Sequence, residues 1–110
     1  MRAAALAATA MLAALAAFPA RSEDPLSPAA RRGLVLVRTH CARCHSIDKA
    51  GDSPFKPAPP FRTLHLRYPV EDLEEPLAEG IITGHPAMPE FTFDPGQVGD
   101  VIAYLKSLEH

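Results

Sequence analysis

The chain has 110 residues, 11 Lys and Arg against 13 Asp and Glu, a formal net charge of −2 and 47% hydrophobic residues. That length leaves room for one domain. The mild negative charge gives no reason to expect a nucleic acid or an anionic membrane as partner.

The first 22 residues have the layout of a secretory signal peptide: Met1-Arg2 supplies a positive start and an uncharged Ala/Leu-rich run extends from Ala3 to Phe18. Small residues at Ala20 and Ser22, and again at Ala14 and Ala16, leave the cut open between Ser22, Ala20 and an earlier position. The run approaches the roughly 20 residues of a spanning helix, so a retained membrane anchor is the alternative. Alanine adds little transfer energy and Phe18-Pro19 interrupts the run, which favours cleavage. No cysteine lies near the cut, which argues against a lipoprotein. The expected division is a signal over 1–22 and one exported, periplasmic domain over 23–110.

Ser27-Pro28 predicts a helix start, because serine accepts from unpaired N–H groups and proline suits the first helical position. Gly33, Leu34, Val37 and Cys41 recur at helical spacing, so one apolar face ends at a thiol. Residues 48–60 hold Gly51, Pro54, Pro57, Pro59 and Pro60, which forbid a long regular element. A stretch of this kind inside a small domain needs something to wrap around.

A short helical turn is expected over 61–67. A helix is expected over 70–79 with Val70, Leu73 and Leu77 inward, kinked or broken at Pro76. Residues 80–93 read as loop. Asp94-Pro95-Gly96-Gln97 then opens a closing helix with a cap, a proline and a capping-box glutamine, and Val98, Val101, Ile102, Leu105 and Leu108 follow the helical period. Strand signals are nearly absent.

The chemistry centres on Cys41-Ala42-Arg43-Cys44-His45. Two thiols three residues apart followed at once by histidine form the attachment signature of c-type haem, with each cysteine bonding one vinyl-derived carbon and His45 ligating the iron. In an exported chain two cysteines would otherwise suggest a disulfide. Zinc would want a second ligand pair, which is missing, and a thioredoxin-like pair would want strands. Haem also answers the size problem, since a domain this small buries a low fraction of its surface unless an apolar group adds to the core.

Beyond the signal, Met88 is the only methionine, in the segment Gly84-His85-Pro86-Ala87-Met88-Pro89-Glu90-Phe91. A thioether favours ferrous iron, and a sulfur pre-positioned between prolines loses little entropy on binding, so Met88 is the expected sixth ligand. His85 is its competitor, while His40, His65 and His110 read as solvated or packing residues. A metal-ligating histidine donates its second ring N–H to an acceptor, and Pro59 is the expected source of that carbonyl. Arg62 and Tyr68 are candidates to meet a haem propionate, with surface covering as the alternative.

With these residues in place the chain resembles the class I c-type cytochromes over essentially all of 23–110. Gly33, eight residues before Cys41, matches the small glycine of that family's first helix, where the last helix crosses. Val101-Ile102-Ala103-Tyr104-Leu105-Lys106 is similar to the closing-helix motif, with Tyr104 at the crossing. Pro59-Pro60 matches the proline after the haem motif, and Met88-Pro89 is the usual bacterial ligand sequence. Val37 departs from a frequent aromatic, and the absence of tryptophan removes a frequent propionate-binding indole.

The resemblance implies an all-α, cytochrome c-like fold of three to five helices wrapped around one covalent haem c, with crossing N- and C-terminal helices. It implies a one-electron carrier rather than an enzyme, meeting redox partner proteins. The alternatives are a haem enzyme or a gas or peroxide sensor with a labile sixth ligand, and a dedicated subunit of an exported dehydrogenase or oxidase. Arg43, Lys49, Lys56 and Arg62 lie around the motif as either a guide for an acidic partner or plain solvation. A membrane enters only if the signal is retained as an anchor.

Overall fold

The structure, a computed structural model, describes residues 2–5, 8–14, 26–80 and 87–110. Among the described residues three α-helices carry the fold: α1 Pro28–His40, α2 Glu74–Glu79 and α3 Pro95–Ser107. Two 3₁₀ turns, Phe61–Leu66 and Val70–Leu73, join α1 to α2. There is no strand among the described residues, and none of their helices is long and apolar enough to cross a membrane.

Helix α1 begins where the serine-proline pair predicts. Ser27 Oγ accepts from the Ala30 N–H at 3.1 Å, and Pro28 occupies the first turn, where its missing N–H costs nothing. Ala30, Gly33 and Val37 are buried on one face, with Leu34 and Cys41 half-buried beside them. Helix α3 starts with the full capping box: Asp94 Oδ1 accepts from the Gln97 N–H at 2.8 Å, and Gln97 Oε1 accepts from the Asp94 N–H at 3.1 Å. Val98, Val101, Ile102, Tyr104, Leu105 and Leu108 are all buried.

The two long helices cross at Gly33. A Cβ built there would stand 1.9 Å from the Asp100 carbonyl oxygen and 2.9 Å from Tyr104 Cβ, so only glycine permits this approach. Next to it Arg32 grips Asp100 in a bidentate pair, Nε to Oδ2 at 2.9 Å and Nη2 to Oδ1 at 3.0 Å. The Lys106–Glu71 pair ties α3 to the turn before α2. The all-α fold with crossing terminal helices therefore stands as the resemblance implied.

The break expected at Pro76 falls elsewhere. The winding changes at Leu73–Glu74, from 3₁₀ to α, and Pro76 is the third residue of α2. An N–H there has no partner within its own helix anyway, and the tighter turn upstream keeps a continuous α-helix from placing the Asp72 carbonyl against the ring. Val70 and Leu77 are buried and Leu73 is half-buried, so the inward face is the expected one. Gly80 ends α2 at φ 99°, a left-handed turn that glycine adopts without strain, and donates its N–H to the Pro76 carbonyl at 2.9 Å.

Candidate haem site

Helix α1 runs directly into the two thiols. Cys41 N–H still donates to the Val37 carbonyl at 2.8 Å, and the Cys41 carbonyl accepts from Cys44 N–H at 3.1 Å and His45 N–H at 2.9 Å. The motif is thus one further turn on the end of a packed helix, which fixes Cys41, Cys44 and His45 relative to the core. Neither cysteine is in a disulfide, and burial pushes the Cys41 thiol up to about 11. A thiol held protonated and half-buried among apolar side chains becomes a thioether without any buried charge being lost.

The ring of His45 is oriented from two sides. Its Nδ1 lies 2.8 Å from the Pro59 carbonyl oxygen. A carbonyl only accepts, so Nδ1 carries the proton and Nε2 is left with its lone pair. Phe61 packs on the same ring with centroids 4.7 Å apart at 37°. Pro59 therefore lies where the sequence expectation puts a second-nitrogen acceptor, and its own ring together with the following Pro60 restricts how far that carbonyl turns away.

The proline-rich segment is closed on a residue that sequence reasoning passed over. Ser46 is 7% exposed, and each of its polar groups is used. Its N–H donates to Ser53 Oγ at 3.0 Å, its carbonyl accepts from Phe61 N–H at 2.9 Å, and its hydroxyl accepts from Arg62 Nη1 at 3.1 Å. Arg62 Nη1 also donates to the Gly51 carbonyl at 2.7 Å. At the next residue, buried Tyr104 donates its hydroxyl to the Ile47 carbonyl at 2.6 Å, fastening the segment to α3. A serine just after the motif carries no pattern of its own; only its three partners, 7, 15 and 16 residues downstream, reveal its role.

Met88 is half-buried in a bend, flanked by exposed Ala87 and Pro89. The chain after it is anchored firmly. Phe93 is buried and donates its N–H to the Leu77 carbonyl at 2.9 Å, Phe91 packs on Phe93 at 5.3 Å, and Glu90 lies over Gly80. His85, the competitor for the sixth position, lies outside the described residues, as do Gly84 and Pro86.

Arg62 is drawn into the loop, its Nη1 spent on Ser46 and Gly51, leaving Nε and Nη2 for a carboxylate. Tyr68 packs half-buried against the core, and burial raises its hydroxyl above the ordinary value while nearby Arg67 lowers it. His65 is half-buried and His110 exposed. His40 is exposed but not merely solvated, for its ring lies against Phe93 and Phe91.

The donor set suits an iron porphyrin. Two unbridged thiols and an imidazole with a free Nε2 stand on adjacent turns, and Leu34, Phe61, Tyr68 and Phe91 pack on the core while keeping apolar surface open. The sequence profile of the cytochrome c family matches residues 30–109. The chain belongs to the cytochrome c family. It is similar to cytochrome c-552 of Bradyrhizobium diazoefficiens (strain JCM 10833 / BCRC 13528 / IAM 13628 / NBRC 14792 / USDA 110), at 29% identity over 92 residues, covering 84% of this chain and 86% of that protein. No solved structure matches the chain significantly.

As a cytochrome c, the protein binds a covalently attached haem c with its iron and serves in electron transfer with redox partner proteins. Cys41 and Cys44 are the two cysteines available for that attachment. The cytochrome therefore gains an apolar group large enough to complete a core that 13 buried residues begin among those described.

Proposed function

We propose that this cytochrome c is an exported one-electron carrier whose iron is held by His45 Nε2 and Met88 Sδ. The observation that carries the reading is the 2.8 Å contact from His45 Nδ1 to the Pro59 carbonyl, because it leaves Nε2 as the ligating nitrogen. Met88 supports the other side: it is the only methionine after residue 22, half-buried, and followed by Pro89 and an anchored aromatic segment.

The haem, when bound, supplies a metal centre that exchanges one electron at a time. The chain's own residues hold both ligand positions, so that no bond need form or break when the charge changes. Cys41 and Cys44 fix the group's place through covalent bonds. Pro59 and Phe61 keep the His45 ring from turning, and the buried helices exclude water from one side. Arg62 and Tyr68 are assigned to the propionate side, Arg62 through Nε and Nη2. Export rests on the charged start and the Ala/Leu-rich run, with residues 1–22 as a signal peptide and the periplasm as destination.

The test is optical. The ferric protein should show a weak near-infrared band from sulfur to iron, lost in Met88→Ala, and a low-spin reduced spectrum. A high-spin spectrum, or a band indifferent to Met88→Ala, overturns the assignment. Carbon monoxide binding to the untreated ferrous protein would instead support the enzyme or sensor alternative.

A further inference from the structure

The end of α1 and the segment after Met88 meet in a three-ring cluster. The His40 ring stands edge-on to Phe93, with centroids 5.3 Å apart and planes at 77°, and lies 6.4 Å from Phe91 at 34°. Phe91 and Phe93 are 5.3 Å apart at 52°. Phe93 is the fixed member, buried at 6% exposure with its N–H on the Leu77 carbonyl. Phe91 is half-buried and only three residues from Met88. His40 immediately precedes Cys41, so it sits on the turn that carries the thiols and His45.

Among the described residues these rings join the two halves of the site. His40 belongs to the half bearing Cys41, Cys44 and His45, and Phe91 belongs to the half bearing Met88. An edge-to-face cluster favours particular separations and tilts, unlike a plain apolar contact, so it resists movement of one half past the other. An exposed histidine at a helix end is otherwise a position where most polar residues would serve.

We infer that His40 is a positioning residue for the sixth ligand: its ring, held against Phe93 and Phe91, keeps the Met88 segment closed over the iron and slows departure of the sulfur. This rests on the reading of Met88 as ligand. His40 touches neither iron nor sulfur; it acts through Phe91. Removing the ring leaves Phe93 anchored on Leu77 and leaves Phe91 with Phe93 as its one partner in the cluster, so the segment opens more often while the fold persists.

The test uses the oxidised, haem-loaded protein and the rate at which added imidazole replaces the sixth ligand, which follows opening of the native iron–ligand bond. His40→Ala should raise that rate roughly fivefold, which at 1.4 kcal/mol per tenfold corresponds to about 1 kcal/mol, the size of one aromatic contact. His40→Phe, which keeps a ring, should restore the slow rate, and Phe91→Leu should reproduce the fast one. In a Met88→Ala background His40→Ala should change nothing. The Phe93 amide should keep its hydrogen-exchange protection in His40→Ala, separating local opening from general destabilisation.

A wild-type rate in His40→Ala, or a His40→Phe rate as fast as His40→Ala, overturns the inference while leaving the Met88 ligand intact. Retention of the near-infrared band and of slow exchange in Met88→Ala alone overturns the ligand reading, and the inference with it.

Discussion

Gly33 of α1 lies directly under the backbone carbonyl of Asp100 in α3, so closely that a Cβ would fall 1.9 Å from the oxygen. The obstacle is backbone, which no rotamer change moves aside. Gly33→Ala must push the helices apart along the whole crossing, and overpacking of this kind costs about 3 kcal/mol or more. Denaturant unfolding of the haem-loaded protein should show that loss; a change of only a few tenths would mean the helices slide without penalty.

Arg32 and Asp100 stand at the same crossing but contribute differently. The guanidinium is exposed and its charge is screened by solvent, although Asp100 holds its pKa above the ordinary value. Arg32→Ala should therefore destabilise far less than Gly33→Ala, and the difference from wild type should shrink with added salt. An effect comparable to Gly33→Ala, unchanged by salt, would contradict this division.

Tyr104 links α3 to the haem-motif segment through Ile47. Tyr104→Phe leaves the Ile47 carbonyl without its 2.6 Å partner in a buried place, at a cost of about 1–2 kcal/mol. Burial raises the hydroxyl above its ordinary value of 10, and nearby Asp48 adds to the shift. The unfolded tyrosine then loses its proton first, so the contribution is complete below about pH 10 and falls as pH rises through the folded-state value. Unfolding of the ferrous protein across that range should show stability declining with pH, and less steeply in Tyr104→Phe. Tyr68, raised by burial, and Lys106, raised by its bond to Glu71, contribute with the same sign to slope that remains.

Arg62 closes the segment between the motif and the first 3₁₀ turn. Arg62→Ala removes bonds to Ser46 and Gly51 and should cost about 1 kcal/mol, with faster hydrogen exchange at Phe61, whose N–H rests on the Ser46 carbonyl. If Arg62 also meets a propionate through Nε or Nη2, the reduction potential shifts as well. Unchanged exchange at Phe61 would refute the loop role.

Replacing the thioether by an imidazole tests the ligand set in the opposite sense to its removal. Met88→His should keep a low-spin spectrum, lose the near-infrared band and lower the reduction potential, because a second imidazole favours the ferric state. A potential that stays put would show that residue 88 is not at the iron.

Much of the frame was legible because its signals are local. Ser27-Pro28 and Asp94-Pro95-Gly96-Gln97 place two helix starts through bonds spanning three residues, and those bonds form. The apolar periods of α1 and α3 name the buried faces. The position of the break near Pro76 was not legible, since proline forbids a helix interior but tolerates the first turn, and the choice depends on how Val70–Leu73 winds.

What the sequence determined by itself is the chemistry: Cys41, Cys44 and His45 are adjacent in the chain, and covalent adjacency needs no fold to bring them together. The helix crossing was legible in the same spirit, through Gly33 and Tyr104, as a likeness to a known family. Only the tertiary structure decided how these parts are held. Ser46 as a hub, the direction of Arg62 and the rings of His40, Phe91 and Phe93 join residues 7 to 53 positions apart, and no local pattern records such partners. They meet because closing a small core brings distant polar and aromatic groups to one place, where a polar group that loses its contact with water must find a partner.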